Sequence, residues 1–311
     1  MFEDNANSLS PSERHRYLRH LGLAQVGEAG QQRLKRASVL LVGTGGLGSP
    51  AGLYLAAAGV GRLGLVDFDR VELSNLQRQV LYGEQSVGQP KVEAASRRLS
   101  DLNPHTKIEA HSLRLDATNA QALFANYDFI LDGSDNFATR YLVNDTCVRL
   151  HKVFVHASVA QFRQISTFDS GVGPLLPLPS SPPPPEVMLS RAEAGVLGVL
   201  PGDGDAASVR SHKLISETGE PPIGRLQLFD GSTGSFREMA LQKDPNCSVC
   251  GKGTASAWTS ADSWKSKTHF RSRRRNSKPG WMPERPVSAR RTRAGRVWLL
   301  RHLAGTIHPA S

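Results

Sequence analysis

Val39, Leu40, Leu41 and Val42 form an unbroken apolar run, the pattern of a parallel strand buried on both faces. Gly43, Gly45, Gly46 and Gly48 follow at once, and residues 51–60 then predict a helix of small and apolar side chains. Upstream, residues 9–23 predict a helix with Ser10 as N-cap, Pro11 in its first turn and Glu13 closing a capping box. Residues 30–36 add a second short helix. Downstream, residues 61–69 predict a strand ending in acids, whereas residues 71–79 are too polar for core. Residues 88–102 predict a helix opened by Gly88-Gln89-Pro90-Lys91. A strand at 107–110, a helix at 117–125 and a buried strand at 127–133 come next. Ser134, Asp135 and Asn136 cap a helix over 137–150, and residues 153–159 and 164–169 predict two further strands. Strands alternating with helices across short loops predict an α/β fold built on a doubly wound, mostly parallel, Rossmann-like sheet.

The pattern changes after residue 170. Residues 174–185 hold seven prolines in twelve positions, which excludes a regular element. Residues 194–202 are apolar, and residues 203–212 are polar with no period, too polar to bury the apolar strip beside them. Residues 223–239 predict a β-hairpin with its turn at 231–234, a C-terminal antiparallel extension of the sheet. From residue 251 onward neither period is present, and a disordered tail is expected.

Charge follows the same division. The chain of 311 residues carries a net +10, but 14 of its 38 Lys and Arg and only two of its 28 acids lie from residue 251 onward. Residues 1–250 therefore carry a net −2, and a nucleic-acid reading would rest on the tail alone. Its arginines are not interleaved with stacking aromatics, so nucleic acid is an unlikely partner. No apolar run reaches about 18 residues, so no membrane span is expected. The three cysteines, Cys147, Cys247 and Cys250, argue against a disulfide framework and for the cytoplasm.

The candidate chemistry begins at the glycine turn. Such a turn lets backbone approach a phosphate, while the next helix offers free N–H groups and the positive end of its dipole. A merely tight turn is the alternative. Asp67 stands 24 residues after Gly43, where a dinucleotide-type fold sets a carboxylate on a ribose hydroxyl; capping the next turn is its alternative role. Cys247 and Cys250, spaced C-x-x-C, are half of a tetrahedral zinc site.

G-T-G-G-L-G from Gly43, D-F-D from Asp67, S-N-L-Q-R-Q from Ser74, G-Q-P-K from Gly88 and G-S-D-N from Gly133 together closely resemble the ThiF/MoeB/HesA family. These are bacterial relatives of ubiquitin-activating enzymes. The resemblance runs over residues 9–169 and returns at 193–202 and 219–251. It implies an adenylyltransferase that uses Mg-ATP to activate the C-terminal glycine of a small ubiquitin-like sulfur carrier, in molybdopterin or thiamine synthesis. The MoeB branch fits S-N-L-Q-R-Q and C-x-x-C best. It implies an ATP site of Gly43, Gly45, Gly46, Gly48, Asp67, Ser74, Asn75, Leu76, Gln77, Arg78, Lys91, Asp135 and Asn136. Arg78 and Lys91 would neutralise phosphate charge, and Asp135 would hold magnesium. R-Y-L-R makes Arg19 the arginine that reaches the partner subunit of a homodimer. Residues 1–170 would be the ATP-binding part, residues 171–251 the carrier-binding and zinc half of the same domain, and residues 252–311 a basic tail.

Departures from the family cluster in the second part. Leu175 and Leu178 stand where the other zinc cysteines belong, and Arg191 replaces a further cysteine. Residues 175–179 can be encoded so that a one-base shift reads Cys-Tyr-Arg-Cys. Residues 203–213 can likewise be encoded so that the shifted frame gives Thr-Ala-Thr-Leu-Gln-Ala-Ser-Glu-Ala-Ile-Lys, the family's crossover helix. The windows 175–181 and 203–212 are therefore read as local frameshifts. Fragments at Glu284 and Arg301 resemble the start of a rhodanese domain, which some family members carry. Two rival readings accompany this one. A degraded paralogue would bind ATP or carrier without turnover. An NAD-dependent oxidoreductase would leave Arg78 and Lys91 without a role.

Overall fold

In a computed structural model, residues 8–160, 163–169, 203–219, 223–230 and 233–240 are described. The proline-rich segment, residues 194–202, Arg191, Cys247, Cys250 and everything from residue 251 lie outside the described residues. All the described residues belong to one compact unit.

The apolar run at residue 39 is the sheet's central strand. β1 (Ser38–Val42) pairs in parallel with β2 (Arg62–Val66) on one side and β4 (Phe129–Asp132) on the other. β3 (Lys107–His111) continues beyond β2, and β5 (Val153–Ala160) lies beside β4. Val39 and Leu41 enter one apolar cluster, while Leu40 and Val42 enter the opposite one. Burial on both faces removes the polar alternation that a half-exposed strand would need.

The connection from β5 to β6 (Arg163–Asp169) is too short for a parallel crossover, so β6 returns antiparallel. β7 (Arg225–Asp230) and β8 (Ser235–Ala240) extend the antiparallel part as the expected hairpin. The full order is β3-β2-β1-β4-β5-β6-β7-β8, the mostly parallel sheet with an antiparallel extension read from the sequence.

The N-terminal helix is split into α1 (Pro11–Arg16) and α2 (Leu18–Leu21). Ser10 and Glu13 form the expected capping box. The break falls at Tyr17, whose buried ring is pinned by a hydrogen bond from Asn103 Nδ2 (2.9 Å). α3 (Gly27–Arg36), α4 (Gly48–Ala57), α5 (Lys91–Leu102), α6 (Ala120–Ala125) and α7 (Phe137–Arg149) cover the two faces.

Two expectations are corrected. Residues 71–79 are not a purely surface stretch: Val71, Asn75 and Gln79 are buried there. The segment turns through a short 3₁₀ helix at Leu73–Asn75, with Asn75 Oδ1 accepting from the Glu72 N–H, so side chains satisfy backbone groups that a strand or helix would pair. Residues 203–212, read as unpatterned, belong to a helix, α8 (Asp203–Ser216), packed against α4, α3 and β5. Its buried side chains are small as often as apolar: Ala207, Ser208, Ser211 and Ser216 beside Ile215. Ser211 Oγ donates to the Ala207 carbonyl and Ser216 Oγ to the His212 carbonyl, so these hydroxyls need no partner across the interface.

Candidate active site

The sheet order reverses between β1 and β4, and ligands in doubly wound folds bind outside the carboxyl ends of strands at such a point. The glycine turn leaves β1 there. Gly43 sits at φ +84°, a conformation that favours glycine, and its N–H donates to the Val66 carbonyl (2.9 Å). A Cβ at Gly48 would lie 2.0 Å from the Gly43 oxygen, so these two glycines serve the turn itself. Gly45 and Gly46 are different. A Cβ there would meet only the side chains of Gln79 and Arg78, at 3.6 and 3.7 Å. Neither glycine is required by internal packing. Their bareness lets backbone run directly beneath an amide and a guanidinium, a geometry with room for an anion.

Asp67, at the end of β2, partly serves its alternative role. Its Oδ2 accepts from the N–H (2.9 Å) and hydroxyl (3.0 Å) of Thr44, and its Oδ1 from the Asp69 N–H (3.0 Å). The carboxylate thus fixes the loop. The Tyr82 hydroxyl lies 2.7 Å from Thr44 Oγ1 behind it, and burial pushes that phenol well above its ordinary value. Arg78 lies over Gly46 and donates from Nη1 to the Ser74 carbonyl (3.1 Å). Lys91, first residue of α5, is buried with its Nζ 2.9 Å from Asp69 Oδ2.

Across the glycine turn, β4 ends in the fully buried Asp132. Its Oδ2 lies 2.6 Å from Nδ1 of the buried His156 on β5, and its Oδ1 accepts from the Ser134 N–H (3.0 Å). Burial pushes the Asp132 carboxyl up, but His156 and Ser134 outweigh it and hold the group below the usual carboxylate range. Gly133 presses on the glycine turn, since a Cβ on it would lie 3.2 Å from the Gly48 nitrogen. Asp135 and Asn136 are exposed at the start of α7, where Asn136 Oδ1 caps the helix by accepting from the Thr139 N–H (2.9 Å).

The sequence-derived residues separate accordingly. The four glycines, Asp67, Arg78 and the Gly133–Asn136 turn gather around the carboxyl ends of β1, β2 and β4. Lys91 joins through Asp69. The Ser74 hydroxyl donates to Glu72, and Asn75 is held by the 3₁₀ turn. Leu76 packs on the core, and Gln77 is exposed. Arg19 is exposed on α2, which packs on α1 and α3. Thr44, Asp69, Gln79, Asp132 and His156 were missed. Thr44, Asp69 and Gln79 carry a signal, as members of the G-T-G-G-L-G, D-F-D and S-N-L-Q-R-Q motifs, whereas Asp132 and His156 carry none.

Magnesium takes one or two carboxylates together with phosphate oxygens, and the exposed Asp135 beside the glycine turn suits that demand. Among the described residues no group of three His, Cys, Asp or Glu could hold a metal alone. No helix among them is long and apolar enough to cross a membrane.

Residues 17–249 match the ThiF family model. The chain belongs to the ThiF family. A sulfur carrier protein adenylyltransferase of Thermus thermophilus is 47% identical over 250 residues, covering 77% of this chain and 91% of that one. A probable adenylyltransferase/sulfurtransferase MoeZ of Mycobacterium tuberculosis is 46% identical over 248 residues, covering 78% and 63%. The adenylyltransferase and sulfurtransferase MOCS3 of Anopheles gambiae is 44% identical over 257 residues, covering 80% and 58%. This chain therefore spans less than two thirds of MoeZ and of MOCS3. A crystal structure of E. coli MccB with ATP is 25% identical with a TM-score of 0.68, covering 78% of this chain and 75% of that one.

Proposed function

We propose that this chain is an ATP-dependent adenylyltransferase that activates the C-terminal glycine of a small ubiquitin-like sulfur carrier, serving molybdopterin or thiamine synthesis. The observation that carries the reading is the glycine turn: Gly45 and Gly46 lie directly beneath the Gln79 and Arg78 side chains, which a Cβ would meet at 3.6 and 3.7 Å, at the switch point of the sheet. In the reaction a carboxylate oxygen attacks the α-phosphorus of ATP. The bond from that phosphorus to the bridging oxygen breaks, and pyrophosphate leaves with the electron pair.

The backbone of Gly45 and Gly46 would receive the phosphate chain. Arg78, half-buried over Gly46, would stabilise charge on the departing pyrophosphate. Lys91 would share its ammonium between Asp69 and a phosphoryl oxygen. Magnesium, when bound, supplies further charge neutralisation, and Asp135 would hold it. Cys247 and Cys250 would give zinc two thiolates, two short of a tetrahedral site. The remaining parts of the proposal are a homodimer in which Arg19 reaches the partner's site, cytoplasmic location, and a division into an ATP part (1–170), a carrier and zinc part (171–251) with shifted windows, and a basic tail.

Carrier-dependent exchange of labelled pyrophosphate into ATP tests the reading. Arg78→Ala should lose about two orders of magnitude in exchange, on the order of 3 kcal/mol of transition-state stabilisation, with the fold intact by circular dichroism. Near-normal exchange in that variant would remove Arg78 from its role. Hydride transfer to NAD without exchange would favour the oxidoreductase instead.

A further inference from the structure

Thr44 is fully buried, and every polar atom it has is engaged. Its N–H (2.9 Å) and its hydroxyl (3.0 Å) both donate to Asp67 Oδ2, and its carbonyl accepts from the Ser49 hydroxyl (3.2 Å). Behind it the buried Tyr82 hydroxyl lies 2.7 Å from Thr44 Oγ1 and 3.0 Å from the Thr44 carbonyl. Chemistry fixes the direction of this chain. A carboxylate only accepts, so the Thr44 hydroxyl directs its one proton to Asp67, and its oxygen can then only accept from Tyr82. Burial keeps the Tyr82 phenol protonated, so the donor is always present. A carboxylate offers about two acceptor sites on each oxygen. Thr44 fills those of Oδ2. The Asp69 N–H (3.0 Å) takes one on Oδ1, which leaves one site on a half-exposed side chain at the end of β2. In doubly wound folds the ribose of a nucleotide held at the glycine turn comes to this place.

We propose that Tyr82 is a positioning residue for the sugar of the nucleotide: acting through the Thr44 hydroxyl, it turns Asp67 so that the remaining carboxylate site accepts from a ribose hydroxyl. The inference rests on the adenylyltransferase reading. Thr44 stands between Tyr82 and Asp67, so the phenol acts at one remove. Without the phenolic O–H, the Thr44 hydroxyl loses the bond that fixes its rotor, and Oδ2 loses a bond strengthened by the carboxylate charge. The carboxylate then turns about its terminal torsion, which is broad for an aspartate, and the free site leaves the ribose. The phosphates are held elsewhere, by the glycine backbone, Arg78 and Lys91. The effect is therefore read in the sugar and not in the phosphates.

The variants are Tyr82→Phe, which removes the hydroxyl and keeps the ring, and Thr44→Val, which removes the middle oxygen of the relay and keeps the shape. In Thr44→Val the phenol retains the backbone carbonyl of residue 44 as its acceptor. Binding of ATP, 2′-deoxy-ATP and 3′-deoxy-ATP to the full-length chain is measured by calorimetry. The parent should prefer ATP over the weaker-binding deoxy analogue by about tenfold or more, the worth of a hydrogen bond to a charged group. Tyr82→Phe should cut that preference to about threefold or less by weakening ATP, with the same analogue bound within about twofold of the parent. Thr44→Val should do likewise, and the double variant should bind ATP within about twofold of the weaker single variant, because both changes act on one relay. An unchanged preference in Tyr82→Phe overturns the inference. So does equal weakening of ATP and the analogue, which marks a structural role for the hydroxyl. A parent that binds ATP without preference over either analogue overturns it too, and leaves the adenylyltransferase reading standing. A parent that binds none of the three overturns that reading as well.

Discussion

The pair between Asp132 and His156 ties two neighbouring strands to the turn that carries Asp135. Asp132 uses one oxygen on the imidazole and the other on the Ser134 N–H, so its position sets where that turn begins. Breaking a buried pair by removing one partner costs roughly 3–5 kcal/mol, because the remaining group keeps its desolvation penalty. Asp132→Ala and His156→Leu should each lower the denaturant midpoint by a corresponding amount. The double variant should lose less than the two losses added, by about 0.5–3 kcal/mol of coupling. Strict additivity in the cycle would mean that the two side chains do not stabilise each other. The sequence displayed the glycines and Asp67 because their spacing is local and their chemistry depends on it. It hid Asp132 and His156 because they stand 24 positions apart and meet only where β4 and β5 pair. A separation of 22 positions likewise hid the Asp69 partner of Lys91, although both residues lie inside motifs.

Among the elements, α8 shows where hydropathy patterning fails. A polar residue reads as surface, but a serine in a helix can turn its hydroxyl back to a carbonyl one turn earlier and then pack like a small side chain. Ser211 and Ser216 are buried in this way, the buried Ser208 instead sets its Oγ 3.2 Å from His212 Nδ1, and Arg33 closes the helix end by donating from Nε and Nη2 to the Ser216 carbonyl. Arg210, buried and pushed down to about 10 chiefly by desolvation, ties the helix to the hairpin by donating to Gln227 Oε1 (2.6 Å). Half-buried His212 places Nδ1 2.7 Å from the Ser208 carbonyl, and burial drives its pKa below the ordinary imidazole value. The unfolded chain therefore takes up a proton near pH 6.5 that the folded helix refuses. Stability is full above that pH and falls as the pH drops toward the lower folded value. His111 on β3, lowered chiefly by burial too, works in the same direction. The denaturant midpoint should accordingly fall between pH 7.5 and 5.5, and His212→Gln should reduce that fall. An identical fall in His212→Gln would assign the effect to His111 or to groups elsewhere.

At the scale of the molecule, the alternation of strands and helices made the parallel part of the sheet legible from residue 39 to residue 160. The shared core behind it was not legible. The larger apolar cluster runs from Leu34 through Leu41, Leu55 and Leu99 to Ala207 and Ile215, so it draws on both sides of the proline-rich segment. A chain cut after Asp169 would keep the glycine turn, Arg78, Lys91 and Asp135. It would lose Ala207 and Ile215 from that cluster, the acceptor of Arg33 on Ser216, and β7 from the edge of β6. One buried isoleucine is worth roughly 1.5–3 kcal/mol, against about 5–15 kcal/mol for a whole domain. The bared β6 edge would also offer itself to other chains. The cut chain should therefore unfold at clearly lower denaturant or aggregate, while the full chain loses helix and tyrosine packing in one transition. The buried tyrosines Tyr17, Tyr82 and Tyr127 report on this core by near-ultraviolet circular dichroism, since all four tryptophans lie beyond residue 251. A cut chain that unfolds at the parent's midpoint and remains monomeric would show that the nucleotide part stands alone, and that α8 only rests on it.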